Sequence, residues 1–289
     1  MMKKLLIFVA TAALAMVATA QTPKIESGAD EVINYWDNSS APHSNCDSKP
    51  EKITVSKGKY KVSHTTETVF YIFKAEQSKG HSLVIFPGGG YKTVNLNFGL
   101  GKWLAKNGIT TMIVKYRLPN GHAEVPLEDA AAAVEYMRTN ADRLGIDPQK
   151  IGVSGSSAGG HLAAWSSVVL EGNQKPNFAV LYYPVISGHI WTNKPQWSTF
   201  EELLGKWRTP AEVDNHSVDL LVNEQTPPTL ILHCYDDELA PTNNSTLYYK
   251  ALKHHGVKAS FHIYPSGGHS WKDYKKQWLE ATKEWVLSL

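Results

Sequence analysis

Residues 151–165 read Ile-Gly-Val-Ser-Gly-Ser-Ser-Ala-Gly-Gly-His-Leu-Ala-Ala-Trp. An apolar run, Ile151-Gly152-Val153, breaks into Gly155-Ser156-Ser157-Ala158-Gly159 and is followed by a helical stretch from about Ala158. Gly and Ser are common residues, so G-x-S-x-G alone is a weak signal. The succession of strand, tight turn and helix strengthens it, because a nucleophile elbow requires that context. Glycines stand where side chains would clash in the turn, and Ser157 occupies its apex. The hydroxyl then meets substrate at the carboxyl end of a sheet. Ser157 is a candidate nucleophile.

Outward from this stretch, strands and helices alternate. Upstream, Ile53–Val55 and Thr68–Phe73 read as an antiparallel pair, and His81–Phe86 runs into Pro87-Gly88-Gly89-Gly90-Tyr91. A helix around Phe98–Lys106, a strand over Thr110–Tyr116 and a helix between Leu127 and Leu144 follow. Downstream come strands at Phe178–Tyr183, Pro228–Cys234 and Ser260–Tyr264, with a helix at Asn244–His254. A last helix places Trp278, Ala281, Trp285 and Leu289 on one face. Near-continuous apolar strands alternating with helices predict an α/β fold, with a mostly parallel sheet covered on both sides.

The organisation is one domain over residues 51–289, preceded by a polar, turn-rich surface segment over 21–50. About 45 residues separate the strands at Phe178 and Pro228, more than one crossover helix requires. A short cap is expected at about 187–217, carrying Trp191, Trp197, Phe200 and Trp207. Residues 1–20 combine Lys3-Lys4, an apolar run from Leu5 to about Val17 and Ala18-Thr19-Ala20, the form of an export leader. The run is short for a membrane span, and no Cys stands at Gln21 to take a lipid anchor. A periplasmic or extracellular location is expected.

The chain of 289 residues has 29 basic and 27 acidic side chains, and without Lys3 and Lys4 the two signs balance. No field of one sign remains to draw nucleic acid or an anionic membrane. Hydrophobic residues at 42% and charged residues at 19% exclude a disordered chain. Of the two cysteines, Cys46 and Cys234, the second sits in an apolar run where a free buried thiol is the commoner state. No HExxH, CxxC or paired-histidine helix appears, so neither a metal nor another cofactor is implied.

Serine needs a base to take its proton. Of twelve histidines, His233 and His262 lie inside strands, and His254-His255 end a surface helix. His269, in Pro265-Ser266-Gly267-Gly268-His269, follows the last strand and returns to the edge where Ser157 stands. The group orienting that imidazole is Asp237 or Asp236, just past Cys234. Adjacent residues leaving a strand point opposite ways, so only one faces His269. The spacing to Pro241 favours Asp237, leaving Asp236 to accept from turn backbone. The N–H groups of Ala158, Gly89 and Gly90 are candidates for an oxyanion hole. Tyr91, Trp191 and Trp271 are candidates for contacting substrate, and Trp191, Trp197 and Trp207 for either stacking on it or packing the cap onto the body.

These motifs resemble the α/β-hydrolase superfamily, and more narrowly the secreted bacterial carbohydrate esterases described as acetylxylan or feruloyl esterase-like. The resemblance runs from about Val84 to Trp271 and includes Lys115-Tyr116-Arg117-Leu118-Pro119, Pro126–Ala130, Tyr183–Ser187 and Thr226–Thr229. It implies metal-free hydrolysis of a carboxylic ester, with Ser157, Asp237 and His269 in the roles already given them. An acylated carbohydrate, acetyl favoured, is the expected substrate. A feruloyl esterase and a serine peptidase of the prolyl-oligopeptidase kind are the rivals. The chain departs from its relatives at Phe98-Gly99, where Glu-Gly is frequent, and at Ser270, where Gly is common.

Overall fold

The computed structural model describes residues 23–190 and 196–289, except the side chains of Gln196 and Trp197. The expected export leader and Trp191 lie outside the described residues.

The strands are β1 (Glu31–Asp37), β2 (Lys52–Ser56), β3 (Lys59–Ser63), β4 (Glu67–Phe73), β5 (Gly80–Phe86), β6 (Val94–Leu96), β7 (Thr110–Lys115), β8 (Ile146–Ser156), β9 (Phe178–Tyr182), β10 (Thr229–Cys234) and β11 (Ala259–Tyr264). The helices are α1 (Gly99–Lys106), α2 (Glu124–Thr139), α3 (Ala141–Leu144), α4 (Ala158–Val169), α5 (Gln196–Leu204), α6 (Pro210–His216), α7 (Asn243–His254) and α8 (Lys275–Leu287). Eight strands form the main sheet in the order β1-β4-β7-β5-β8-β9-β10-β11. From β7 to β11 all neighbours are parallel, while β4 runs antiparallel to both β1 and β7. Every residue of β7, β9 and β10 is buried, as strands covered on both faces must be.

The order places the site. After β5 the chain goes to β7 on one side, then returns across β5 to β8 on the other. Connections leaving β5 and β8 therefore diverge, opening a crevice at the carboxyl ends of these strands. The loop after β5 contains Gly88–Tyr91, and the turn after β8 contains Ser157.

Two N-terminal expectations change. Ile53–Val55 does not pair with Thr68–Phe73. It belongs to β2, which forms a separate three-stranded antiparallel sheet with β3 and β6. The hairpin turns on Lys57 and Gly58, both at positive φ (48° and 71°), as a two-residue turn with matching twist requires. The segment 21–50, expected as a turn-rich surface segment, contributes β1 to the sheet edge. A buried ion pair holds it there. Arg117 donates to Asp129 through Nε (3.0 Å) and Nη2 (2.8 Å), and Trp36 Nε1 of β1 donates to the same carboxylate at 2.7 Å. The guanidinium lies 5.4 Å from the Trp36 ring centre. Burial pushes the Asp129 carboxyl up, against the pull of Arg117.

The stretch between β9 and β10 holds α5 and α6. Thr209 caps α6 by accepting from the Glu212 N–H, and the Glu212 carboxylate accepts from the Thr209 N–H in return. Val185, Phe200, Val213 and Ala240 form a small apolar cluster under this insertion. Trp207 instead is 87% exposed, beside Lys206. On α8 the inner face is Trp278, Leu279, Thr282 and Val286, with Ala281 and Trp285 half-buried, as is Leu289 just beyond the helix. Thr282 takes an inner position because its hydroxyl meets that of Tyr182 at 2.8 Å. Both cysteines are free, Cys46 exposed and Cys234 buried.

Candidate active site

Ser157 leaves β8 at φ 55°, ψ −123°, a conformation that costs a non-glycine residue roughly 1–3 kcal/mol. Neighbouring backbone holds it there: Ser157 N–H donates to Tyr182 O at 3.1 Å, and Val185 and His161 N–H donate to Ser157 O at 3.1 and 3.0 Å. The flanking glycines have no alternative. A Cβ on Gly155 would stand 2.0 Å from Gly159 O, and one on Gly159 would stand 2.1 Å from Phe86 O. β8, α4 and the end of β5 are thus in backbone contact.

His269 follows β11. Its approach passes through Gly267 and Gly268 at positive φ, whose N–H groups donate to Asp236 at 3.2 and 2.8 Å. The ring lies 4.6 Å from that of Tyr183. Ser157 Oγ donates to His269 Nε2 at 2.8 Å, and His269 Nδ1 donates to Asp237 Oδ2 at 2.7 Å. Asp236 and Asp237 therefore part as alternation at a strand end requires, one exposed and one buried. Asp237 Oδ1 accepts from the N–H groups of Leu239 and Ala240 at 2.9 and 3.0 Å. Burial pushes this carboxyl up, but the hydrogen bonds from His233 and His269 outweigh it and hold it well below the ordinary carboxylate range.

His233, a strand histidine by its place in the sequence, shares this carboxylate. Fully buried, it directs Nε2 at Asp237 Oδ2 (3.1 Å) and Ala240 O (2.8 Å), while Nδ1 meets Ser245 Oγ at 2.7 Å. Two acceptors at Nε2 require the proton there, so Nδ1 accepts from the Ser245 hydroxyl. Asp237 is gripped between two imidazoles. The signal in the chain is the His233–Asp237 spacing across a strand end, which acquires meaning only once the register is known.

The loop after β5 passes against the serine turn: a Cβ on Gly88 would lie 2.7 Å from Ser156 O and 3.1 Å from Ser157 Cβ. Gly89 has φ 145° and sits so tightly that a Cβ would fall 1.9 Å from Thr93 O. The N–H groups of Gly89, Gly90 and Ala158 have no acceptor among the described residues. Two buried tyrosines brace the loop. Tyr116 donates to Pro87 O at 2.8 Å, and Tyr91 meets His161 Nδ1 of α4 at 2.9 Å. His161 Nε2 donates to His216 O at 2.9 Å, so Nδ1 is the acceptor and Tyr91 the donor. Burial lowers the His161 pKa to about 4, keeping it neutral.

Tyr91 is thereby corrected as a substrate contact: it is 1% exposed and its hydroxyl is engaged on His161. Trp271 is half-buried on the wall of a cavity of about 940 Å³ that also receives Ser157, His269, Gly89, Gly90 and Leu239. Trp207 is not among the residues of that wall.

Against known proteins, a family profile for the α/β-hydrolase fold matches residues 83–273. The acetylxylan esterase of Xylanibacter ruminicola is 34% identical over 229 residues, covering 75% of this chain and 47% of that protein. Endo-1,4-beta-xylanase B of Butyrivibrio fibrisolvens is 27% identical over 218 residues, 70% of this chain and 34% of its own length. The chain thus spans half or less of these curated relatives. Among solved structures, the acetyl ester-xyloside bifunctional hydrolase of Caldicellulosiruptor lactoaceticus superposes with a TM-score of 0.73 at 29% identity, covering 93% of this chain and 98% of that one. With the elbow, the sheet order and the profile match in agreement, the chain belongs to the α/β-hydrolase family and resembles its carbohydrate esterases.

Proposed function

We propose that the protein is an exported serine carboxylic-ester hydrolase that removes small acyl groups, acetyl foremost, from xylan or its oligosaccharides. The observation that carries this reading is the unbroken hydrogen-bond chain Ser157–His269–Asp237 opening on the cavity. Two relatives named for acetylxylan and xylan chemistry support the substrate class. The leader-like N-terminus supports export.

In the proposed mechanism, His269 Nε2 takes the Ser157 proton as Oγ attacks the acetyl carbonyl carbon. The N–H groups of Gly89, Gly90 and Ala158 receive the negative oxygen of the tetrahedral intermediate. That intermediate collapses, the bond from carbonyl carbon to sugar oxygen breaks, and His269 gives its proton to the departing oxygen, which leaves as the sugar hydroxyl. Acetyl-Ser157 remains. Water then attacks, giving a proton to His269, and acetate leaves as Ser157 regains its hydrogen. Asp237 stays ionised throughout, since its hydrogen bonds hold it far below neutral pH.

The small-acyl preference rests on the insertion. Phe200, Leu203 and Val213 are turned into packing, so they do not offer an apolar groove to a long tail. Each methylene left without a pocket forfeits roughly 0.8 kcal/mol of transfer energy. The test is kcat/KM for p-nitrophenyl acetate, butyrate and octanoate, beside acetylated xylo-oligosaccharides, methyl ferulate and a proline-type peptide substrate. The acetyl substrates are expected to lead. Octanoate or ferulate in front would overturn the acyl preference, and the peptide in front would overturn the esterase.

A further inference from the structure

The cavity has one wall unlike the rest. In the small sheet, Tyr60 and Val62 of β3 and Val94 and Leu96 of β6 are buried against the body. Alternation turns the residues between them to the opposite face. There Lys61 stands opposite Thr54 on one side and Asn95 on the other, and Lys59 stands opposite Ser56. All five, with Lys57 of the hairpin turn, line the same cavity as Ser157 and His269.

The charge on this wall is one-sided. Among the described residues the cavity lining includes Lys57, Lys59, Lys61 and Lys92 and no Asp or Glu. Lys92 is paired with Glu202 at 3.2 Å. Lys57, Lys59 and Lys61 have no acidic partner among the described residues, although basic and acidic side chains are nearly equal in number along the chain, 29 against 27. Lys59 and Lys61 share a strand face with Cα atoms roughly 7 Å apart, so their ammonium groups repel one another. Three unneutralised cations along one side of a substrate cleft, interleaved with Thr, Ser and Asn, form a surface suited to a sugar that carries negative charge.

We propose that this wall is a carboxylate subsite, and that the preferred substrate is an acetylated xylo-oligosaccharide bearing a hexuronate side residue, which lies against Lys57, Lys59 and Lys61. This deepens the proposed function and rests on it for the backbone sugar. Lysine ammoniums are mobile point charges, so the subsite recognises the carboxylate by charge and tolerates variation in its position. A neutral oligosaccharide has only the Thr, Ser and Asn groups to meet there.

The test uses product-like oligosaccharides without acetyl groups, as competitive inhibitors of p-nitrophenyl acetate hydrolysis. A xylo-oligosaccharide with a hexuronate side residue is compared with the neutral one of equal length. At low ionic strength the acidic sugar is expected to inhibit at about fivefold lower concentration, the scale of one or two exposed ion pairs. In 1 M salt, where the screening length is about 3 Å, the ratio should fall to about one. It should also fall to about one in the Lys57→Gln/Lys59→Gln/Lys61→Gln variant and persist when the same three are changed to Arg. A ratio near one for the unaltered protein at low salt, or a ratio unmoved by the triple Gln change, overturns the proposal. The salt arm needs no variant, so a misfolded mutant does not blunt the test. An intact ratio in a protein that fails to deacetylate xylo-oligosaccharides would support the subsite and sink the proposed function instead.

Discussion

Replacing His161 by Gln should remove a pH-dependent part of the protein's stability. His161 is fully buried, donates from Nε2 to His216 O and accepts the Tyr91 hydroxyl at Nδ1. Burial lowers its pKa from 6.5 to about 4. In the unfolded chain the imidazole takes up its proton near the ordinary value, whereas in the folded protein it resists until about pH 4. Between those limits the unfolded state binds more protons, so acidification favours unfolding. The contribution is full above pH 6.5 and is lost as the pH falls to about 4. At 1.36 kcal/mol per pH unit the loss amounts to about 3 kcal/mol. Gln keeps a donor for His216 O and does not titrate. His216, which burial shifts the same way and whose charge adds to the lowering at His161, is present in both proteins. The assay is urea unfolding of both proteins at pH 7.5, 6, 5 and 4.5. The unaltered protein should lose its advantage over His161→Gln progressively below pH 6.5. A difference flat across that range, or one growing on acidification, would refute the assignment of a neutral buried imidazole.

Other expectations concern the carboxylates and their neighbours. Asp237→Asn should lower kcat by about 10³-fold or more, since an amide no longer fixes the His269 tautomer, whereas Asp236→Asn should cost less than tenfold. Steady-state kinetics on p-nitrophenyl acetate ranks the two, and the reverse ranking would exchange their roles. His233→Leu removes a donor from a buried carboxylate and should destabilise the fold by about 2–3 kcal/mol. Its kcat should fall severalfold with KM little changed, as befits a residue that positions Asp237. Unaltered stability, or a loss of kcat as deep as that of Asp237→Asn, would contradict that role.

The parts of the fold legible in the chain were those written in local pattern. The apolar runs of β5, β7, β9 and β10 are buried on both faces and need no partner to be recognised. The elbow was legible because its glycines answer a steric demand within five residues. Asp236 and Asp237 were separable because side chains alternate on leaving a strand. What escaped depended on distant partners. β1 looks polar on its own and is held by Arg117 and Asp129, far along the chain. β3 follows a Lys57-Gly58 turn without the usual Asn-Gly or Asp-Gly signal. Tyr91 adjoins the glycine loop in sequence, yet its side chain points inward to His161, a direction its neighbours do not encode.

Catalysis through Ser157 requires that its hydroxyl become covalently acylated during turnover. Rapid acid quenching of the protein with p-nitrophenyl acetate, followed by mass spectrometry of its peptides, tests this directly. One acetyl group is expected on the peptide containing Ser157, absent after Ser157→Ala, with kcat in that folded variant reduced by about 10³-fold or more. An unmodified Ser157 peptide under conditions of rapid hydrolysis, or near-normal turnover by the alanine variant, would contradict it.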